Sequence, residues 1–565
     1  MHDGRRLGET MQLNPLHLSV AKLLEGRLFR IPEYQRAYSW QSRQREDLFN
    51  DIEESHRSGR EHFMATLVAL AREKRVIAAD ELQTVELVDG QQRVTTLVIL
   101  LKAIEKALDG ELQAERKSKR DLDDLLVKGD DHSLVLLQTN HDSSNIFLNY
   151  LRKGTLDTSA MVTASDQNLV DAITECEKFV ARWQNEGALV LLLGTIRNKL
   201  SMIYHEVADE ATVYRVFEVL NSRGLAVKWI DKTKSQLMAS IFEYVEEGSR
   251  LEGLKEMQTV WQDIFRILGL RQNLGNEALR FAGTWSCGSR PNRIYGEEEA
   301  SVELIRRAGR KLPSIIETAE WLRRVVRVAN LLNGDVRRAA VTKIAHARFL
   351  AVGILLREFK ADVQEELLAA WERVTFRIFG LGGADTRHKV GEYVRLGYEV
   401  VTQQLTADDI RAGIKRLGDG FNISEVLNHK DFWDESYNGW TEELRYLLFR
   451  YDEHLAREAG EQINTAQWTK IWAMDPSKSI EHIMPQSAER SYVHHLGNLT
   501  MLPPGVNSSL QDTPPKKKAA RYIECGIKGT VSVGRIIENS DSWTEKDVRN
   551  RAARIESFIR QEWSD

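Results

Sequence analysis

Cysteine is almost missing from this chain: Cys176, Cys287 and Cys525 are the only three in 565 residues, widely scattered and without a Cys-x-x-Cys pair. That excludes a disulfide framework and a thiolate zinc site, so any metal must sit on oxygen or imidazole. Long apolar runs are also missing. The longest, Ala188 to Leu193, is far too short to cross a bilayer, and the amino terminus opens on charged residues with no apolar signal core. A cytoplasmic protein with no membrane partner is expected. No Gly-x-x-x-x-Gly-Lys-Ser/Thr element occurs, which excludes a P-loop machine. Neither is there an excess of positive charge: 78 basic residues face 83 acidic ones, a net charge of −5, so a globally basic nucleic-acid coat is excluded and only a local patch remains possible. One such patch lies between Gly505 and Arg535, where Lys516, Lys517, Lys518, Arg521, Lys528 and Arg535 outnumber Asp512 and Glu524.

What is present is an ordinary globular composition, 42% hydrophobic and 28% charged, long enough for about three units at roughly 100–200 residues per domain. From about Leu16 to Met238 short strands mix with helices, an α+β region. Phe63 to Leu70 and Thr84 to Val88 are rich in β-formers, and after the turn Asp89-Gly90 the spacing of Val94, Leu97, Val98, Leu101, Ile104 and Leu108 predicts an amphipathic helix. From about 239 to 419 the pattern is almost wholly helical, with apolar stripes at Leu254–Leu268, Ala319–Leu332, Ala340–Phe359 and Val363–Phe379, and a helical connector is expected. From about Gly420 to Trp563 Trp, Asn, Pro and Gly become frequent, which predicts a smaller, loop-rich domain.

Ser479-Ile480-Glu481-His482-Ile483-Met484-Pro485-Gln486 is followed by Gly497-Asn498-Leu499 and then Asn507. Hydrolysing a phosphodiester needs a base for water and a cation for the charge that builds on phosphate. His482 suits the first role, while Glu481 and the Asn507 side-chain carbonyl are hard oxygen ligands suited to Mg2+. Strand neighbours face opposite ways, so Glu481 and His482 meet one metal only from a bent or terminal strand position, which the stop at Pro485 allows. This order of residues resembles the ββα-metal finger of HNH nucleases, in the form found in the carboxyl-terminal domain of GmrSD-type proteins. The resemblance implies His482 as general base, Glu481 and Asn507 as ligands of Mg2+ (or Mn2+), and Asn498 as the catalytic-site residue that braces the metal loop. Many HNH enzymes carry Asp where Glu481 stands. His494 and His495 are either substitute ligands or solvent-exposed histidines.

Two amino-terminal segments combine Arg and Gln with special backbone: Ile31 to Trp40, which contains Tyr34-Gln35-Arg36, and Val88-Asp89-Gly90-Gln91-Gln92-Arg93. A glycine turn between strand and helix lets main chain approach a phosphate, exposed N–H groups at a helix start favour an anion, and Arg36 and Arg93 can add bidentate contacts. Asp89 holds a metal or caps the helix. Tyr34, Tyr38 and Trp40 stack on a base or belong to the core. Together the segments resemble the amino-terminal domain of GmrSD proteins, whose hallmark is Asp-Gly-Gln-Gln-Arg after a Tyr-Gln-Arg stretch. Phe217 to Gly224, with Asn221, is a third family-like segment. The resemblance implies a ParB-like fold, a nucleoside triphosphate pocket around Arg36, Asp89, Gly90, Gln91, Gln92 and Arg93, and sensing of DNA by Tyr34, Gln35 and Trp40, with Lys516, Lys517 and Lys518 contributing at the far end.

The whole then implies a type IV, anti-phage restriction endonuclease: the amino-terminal domain senses modified DNA and hydrolyses nucleotide, and the HNH domain nicks or cleaves. Homo-oligomers or modification-system proteins are possible partners. The alternatives are a nuclease of the same build acting on RNA or unmodified DNA as a defence toxin, and a non-enzymatic nucleotide-binding regulator. The intact set of Glu481, His482, Asn498 and Asn507 argues against the last.

Overall fold

In the computed structural model, which describes residues 15–32, 35, 37–77, 80–110, 112–128, 134–139, 145–207, 228–269, 271–338, 341, 343–434 and 436–564, the β-forming segments near the amino terminus build one mixed sheet. Its strands are β1 (Pro15–Ser19), β2 (Arg27–Arg30), β3 (His62–Ile77), β4 (Asp80–Asp89), β5 (Leu137–Gln138) and β6 (Leu200–Val207), in the order β1-β6-β3-β4-β2-β5. The centre is the antiparallel pair β3–β4, with Val68 opposite Asp89. Parallel partners flank it: Phe29 of β2 lies opposite Val85, and Leu67 of β3 opposite Tyr204 of β6.

β4 ends at Asp89, and Gly90 turns the chain into α2 (Gln91–Ala107), which follows α1 (Ser42–Ser58) in the sequence. Gly90 has φ +90°, a backbone angle that calls for glycine, and a Cβ there would press on the Leu67 side chain at 3.3 Å. The expected helix forms, but it is buried over most of its surface. Ile99, Leu100 and Ala103 add a second apolar face to the predicted stripe, and Thr95, Thr96, Lys102 and Glu105 are buried with them. Lys102 and Glu105 neutralise each other at 2.7 Å, and α3 (Ala164–Asn185) packs alongside α2, contributing Leu169, Ile173, Cys176 and Phe179 to the core.

The chain divides into two compact units, Met1–Ser286 with Tyr295–Arg327 and Cys287–Ile294 with Val328–Asp565. The helical stretch 239–419 is shared between them: Glu247–Leu268 lies in the first unit, Ala345–Leu356 in the second, and Leu312–Gly334 crosses the boundary. All three described cysteines are free and buried. Among the described residues, no helix is long and apolar enough to cross a membrane.

In the second unit the expected loop-rich carboxyl-terminal region is chiefly helical. After α4 (Ala361–Thr375) in the preceding helical stretch, its helices include α5 (Thr441–Glu458), α6 (Pro504–Leu510), α7 (Pro515–Glu524), α8 (Lys528–Ser540) and α9 (Glu545–Trp563). The prolines that suggested loops start helices instead: Pro504 and Pro515 take first-turn positions, where a missing N–H costs nothing. α4, α5 and α9 are tied together by charge. Glu372, fully buried on α4, accepts a hydrogen bond from Arg450 at 2.6 Å, and Arg450 also bonds Glu562 of α9.

Candidate functional site

Between α5 and α6 two three-residue strands, β7 (Ile480–His482) and β8 (Leu499–Met501), pair antiparallel with His482 opposite Leu499 and Glu481 opposite Thr500. The order is therefore strand, loop, strand, helix, with α6 carrying Asn507. The loop from Ile483 to Asn498 makes no regular ladder of its own, and Asn498 holds it. Its Nδ2 donates to the carbonyls of Met484 (3.0 Å) and Val493 (2.8 Å), and its Oδ1 accepts from Met484 N (2.9 Å) and Trp543 Nε1 (3.0 Å). Every lone pair and N–H of that buried amide is used. Behind it Arg551 of α9, itself buried, donates to the carbonyls of Gly497 (3.2 Å) and Leu499 (2.6 Å). A Cβ on Gly497 would come within 2.2 Å of the Val548 carbonyl oxygen, so only glycine lets the loop approach α9 this closely.

His482 is the ring this frame presents. Its Nε2 lies 3.2 Å from His494 Nδ1, the Gln486 amide nitrogen is 3.2 Å from its Nδ1, and Tyr437 packs edge-on at 4.6 Å while stacking on His494. Burial, with His494 and Lys518 nearby, pushes its pKa down to about 3, so the imidazole is neutral at neutral pH.

Glu481 faces the other way. One oxygen accepts from both Lys518 Nζ (2.7 Å) and Tyr522 OH (2.6 Å), and Lys518 also donates to the main-chain carbonyl of His482 (2.8 Å). Burial raises the Glu481 pKa, and Lys518 opposes that shift. Asn507 donates through Nδ2 to the carbonyls of Lys478 (3.0 Å) and Ile480 (3.2 Å), which leaves its Oδ1 lone pairs as what it can offer. Glu481 and Asn507 thus do not form a ready-made cation cage: the carboxylate is spent on an ammonium. Among the described residues, no group of three or more His, Cys, Asp or Glu is placed to hold a metal.

Two expectations change at this end of the chain. Lys518 has 0% exposure and cannot reach DNA, because its ammonium is consumed inside. Lys516 and Lys517 stay on the surface, the former paired with Asp541 at 2.9 Å. His495 is not solvent-exposed: it is buried, accepts from Gly497 N at 2.9 Å, and burial lowers its pKa to about 4. Tyr437, Trp543, Tyr522 and Arg551 went unnoticed in the sequence because each reaches the site from another element, without a local pattern.

In the first unit, the segment around residues 35–40 is clasped onto the β4–α2 turn. Gln35 Nε2 donates to the Val88 carbonyl (2.6 Å), Gln92 accepts from Ser39 N (2.8 Å) and donates to the Ala37 carbonyl (3.2 Å), and Tyr38 OH bonds Thr96 (2.8 Å). Gln35, Gln92 and Gln91 are buried, and so is Trp40, which is a core residue and has no free face for a base. Arg93 is half-buried at the start of α2 with its guanidinium 5.6 Å from the Trp40 ring centroid, and burial lowers its pKa against the pull of Asp89 and Asp51. No hydrogen bond or ion pair ties Arg93 to another described residue, although the helix start beside it favours an anion. Tyr34 and Arg36, and Asn221 with the whole of 217–224, lie outside the described residues.

The second unit thus holds His482 in a buried, self-braced strand–loop–strand–helix, and in the first unit Arg93 stands at the start of α2 over the Trp40 ring. The family model "GmrSD restriction endonuclease, N-terminal domain" matches residues 20–238, and "GmrSD restriction endonucleases, C-terminal domain" matches residues 424–556. The chain belongs to the GmrSD restriction endonucleases. That makes it a restriction endonuclease of the type IV kind, with DNA as substrate. No curated protein sequence matches it.

Proposed function

We propose that the chain is an anti-phage nuclease that nicks or cleaves modified DNA at His482, under the control of a nucleoside triphosphate bound near Arg93. The observation that carries this reading is the buried His482 ring beside a loop fixed by all four hydrogen bonds of the Asn498 amide.

In that role the His482 imidazole takes a proton from the water that attacks phosphorus. His494 and Gln486 hold the ring and select its tautomer. A base works best with its pKa near the working pH, and a phosphodiester beside the ring adds the negative charge that lifts a pKa of about 3 toward it. Mg2+ (or Mn2+) would neutralise charge on the phosphate; of the residues named for it, Asn507 keeps a free type of donor, and no step depends on Glu481. At the other site, Arg93 and the first N–H groups of α2 grip phosphate oxygens.

The test is digestion of plain, methylated, hydroxymethylated, glucosylated and phosphorothioate DNAs, each with and without nucleotide and Mg2+. The reading expects one marked DNA to be cut in preference and to stimulate nucleotide hydrolysis. Equal cutting of plain DNA, or cutting of RNA, contradicts the sensing half.

A further inference from the structure

We propose that Glu481, Lys518 and Tyr522 form a buried clamp that positions the His482 strand, with the Lys518 ammonium as the resident cation of Glu481, so that Glu481 is a positioning residue and not a metal ligand. The inference rests on His482 being the nuclease base, and it departs from what the family resemblance implies for Glu481.

Strand geometry sets the division of labour. Successive side chains on a strand face opposite sides, so presenting His482 toward the Tyr437 and His494 rings sends Glu481 to the α7 side. There α7 offers Lys518 and Tyr522, four residues apart and so on one face of the helix, and both donate to the same carboxylate oxygen, at 2.7 and 2.6 Å. Exposure is 4% for Glu481 and 0% for both Lys518 and Tyr522. Turning Glu481 around to bind a metal beside His482 would break two charge-assisted bonds and strand an ammonium in the interior without a counter-charge, the most costly kind of buried group. The third bond of Lys518, to the His482 carbonyl at 2.8 Å, links the clamp directly to the catalytic residue's own backbone. The pattern is also selective within one basic run: Lys516 and Lys517 stay on the surface, and Lys518 alone turns inward.

The test uses the full chain in two arms. In the first, acylation of lysines is followed by mass spectrometry, without metal or DNA. Lys518 should react at least about tenfold more slowly than Lys517, and Glu481→Gln should raise its reactivity; reaction of Lys518 as fast as Lys517 in the parent protein would overturn the clamp. In the second arm, plasmid nicking is titrated with Mn2+. Glu481→Gln should lower kcat about tenfold while the half-saturating Mn2+ concentration and the KM for DNA stay within about twofold, since a hydrogen bond's worth of positioning is lost and no ligand is. A half-saturating concentration raised tenfold or more, with the rate recovered at high Mn2+, would make Glu481 a ligand and sink the proposal. Should Glu481→Gln fold poorly, the double variant Glu481→Gln/Lys518→Met removes both charges together, which buried pairs tolerate better, and carries the same expectations for kcat and Mn2+. If the parent protein nicks at no Mn2+ concentration, the nuclease reading fails, and the acylation arm still decides the clamp by itself.

Discussion

Asn507 and Arg93 show how a single side chain's hydrogen bonds decide what it can still do. Asn507 fixes the entry to β7 through Nδ2 and keeps only Oδ1 in reserve. Asn507→Ala should therefore lower nicking, and excess Mg2+ or Mn2+ should restore part of the loss if Oδ1 meets a cation; no recovery would leave Asn507 a positioning role alone. Arg93 makes no hydrogen bond or ion pair among the described residues and lies over the Trp40 ring, so Arg93→Ala should remove nucleotide hydrolysis, assayed as phosphate release with DNA present, and hydrolysis at the parental rate would place the pocket elsewhere. The sequence made the identity of such residues legible but not their direction. The Glu481-His482 pair stood out as chemistry, yet only the register of β7 on β8 shows that the two point apart. Lys518 looked like its neighbours in a basic run. Its burial depends on the helical phase of α7, which three consecutive lysines do not encode.

At the level of elements, the hairpin and loop around His482 have little internal stability, since two three-residue strands are marginal by themselves. α9 and the segment before it supply the difference, through Trp543 to Asn498 and Arg551 to the carbonyls of Gly497 and Leu499. Trp543→Phe keeps an aromatic ring but removes part of the buried bulk and one hydrogen bond to Asn498, the bond itself worth about 1 kcal/mol. It should reduce nicking several-fold with DNA affinity unchanged, as read by parallel cleavage and gel-shift assays; an unchanged rate would show that the Asn498 brace has slack. Elements of strong period were readable from sequence, as β3, β4 and α2 illustrate. The error on α2 was one of burial, because a clear stripe at Val94, Leu97, Val98 and Leu101 hides how apolar the opposite face is. The helices of the carboxyl-terminal region were missed where proline and glycine signalled loops and the prolines in fact opened first turns.

On the scale of the molecule, the second unit carries three buried histidines, His346, His482 and His495, whose pKa values burial pushes down to about 4, 3 and 4. Unfolded, each titrates near ~6.5, so between that pH and its folded value the unfolded chain binds the extra proton and stability falls with pH. Below ~6.5 each histidine costs about 1.4 kcal/mol per pH unit. Glu481, Asp452 and Glu453, whose pKa values burial raises, take up protons in the folded state and offset part of the loss at lower pH. Thermal melts should show the transition of the second unit dropping from pH 7.5 to pH 5, a drop that His346→Phe reduces; the same pH dependence in His346→Phe as in the parent would contradict the burial of His346. The two segments singled out in the sequence, around Asp89-Gly90 and Glu481-His482, fall in different units, whereas the boundary between units, drawn through the helical stretch, had no compositional mark. The central claim, that cleavage is carried out by His482, is tested most directly by nicking of supercoiled plasmid with Mg2+ or Mn2+, comparing the parent protein with His482→Ala at matched DNA occupancy. A loss of about 10²–10⁴-fold in rate with DNA affinity kept is expected for removal of a general base; nicking by His482→Ala at the parental rate would contradict the account.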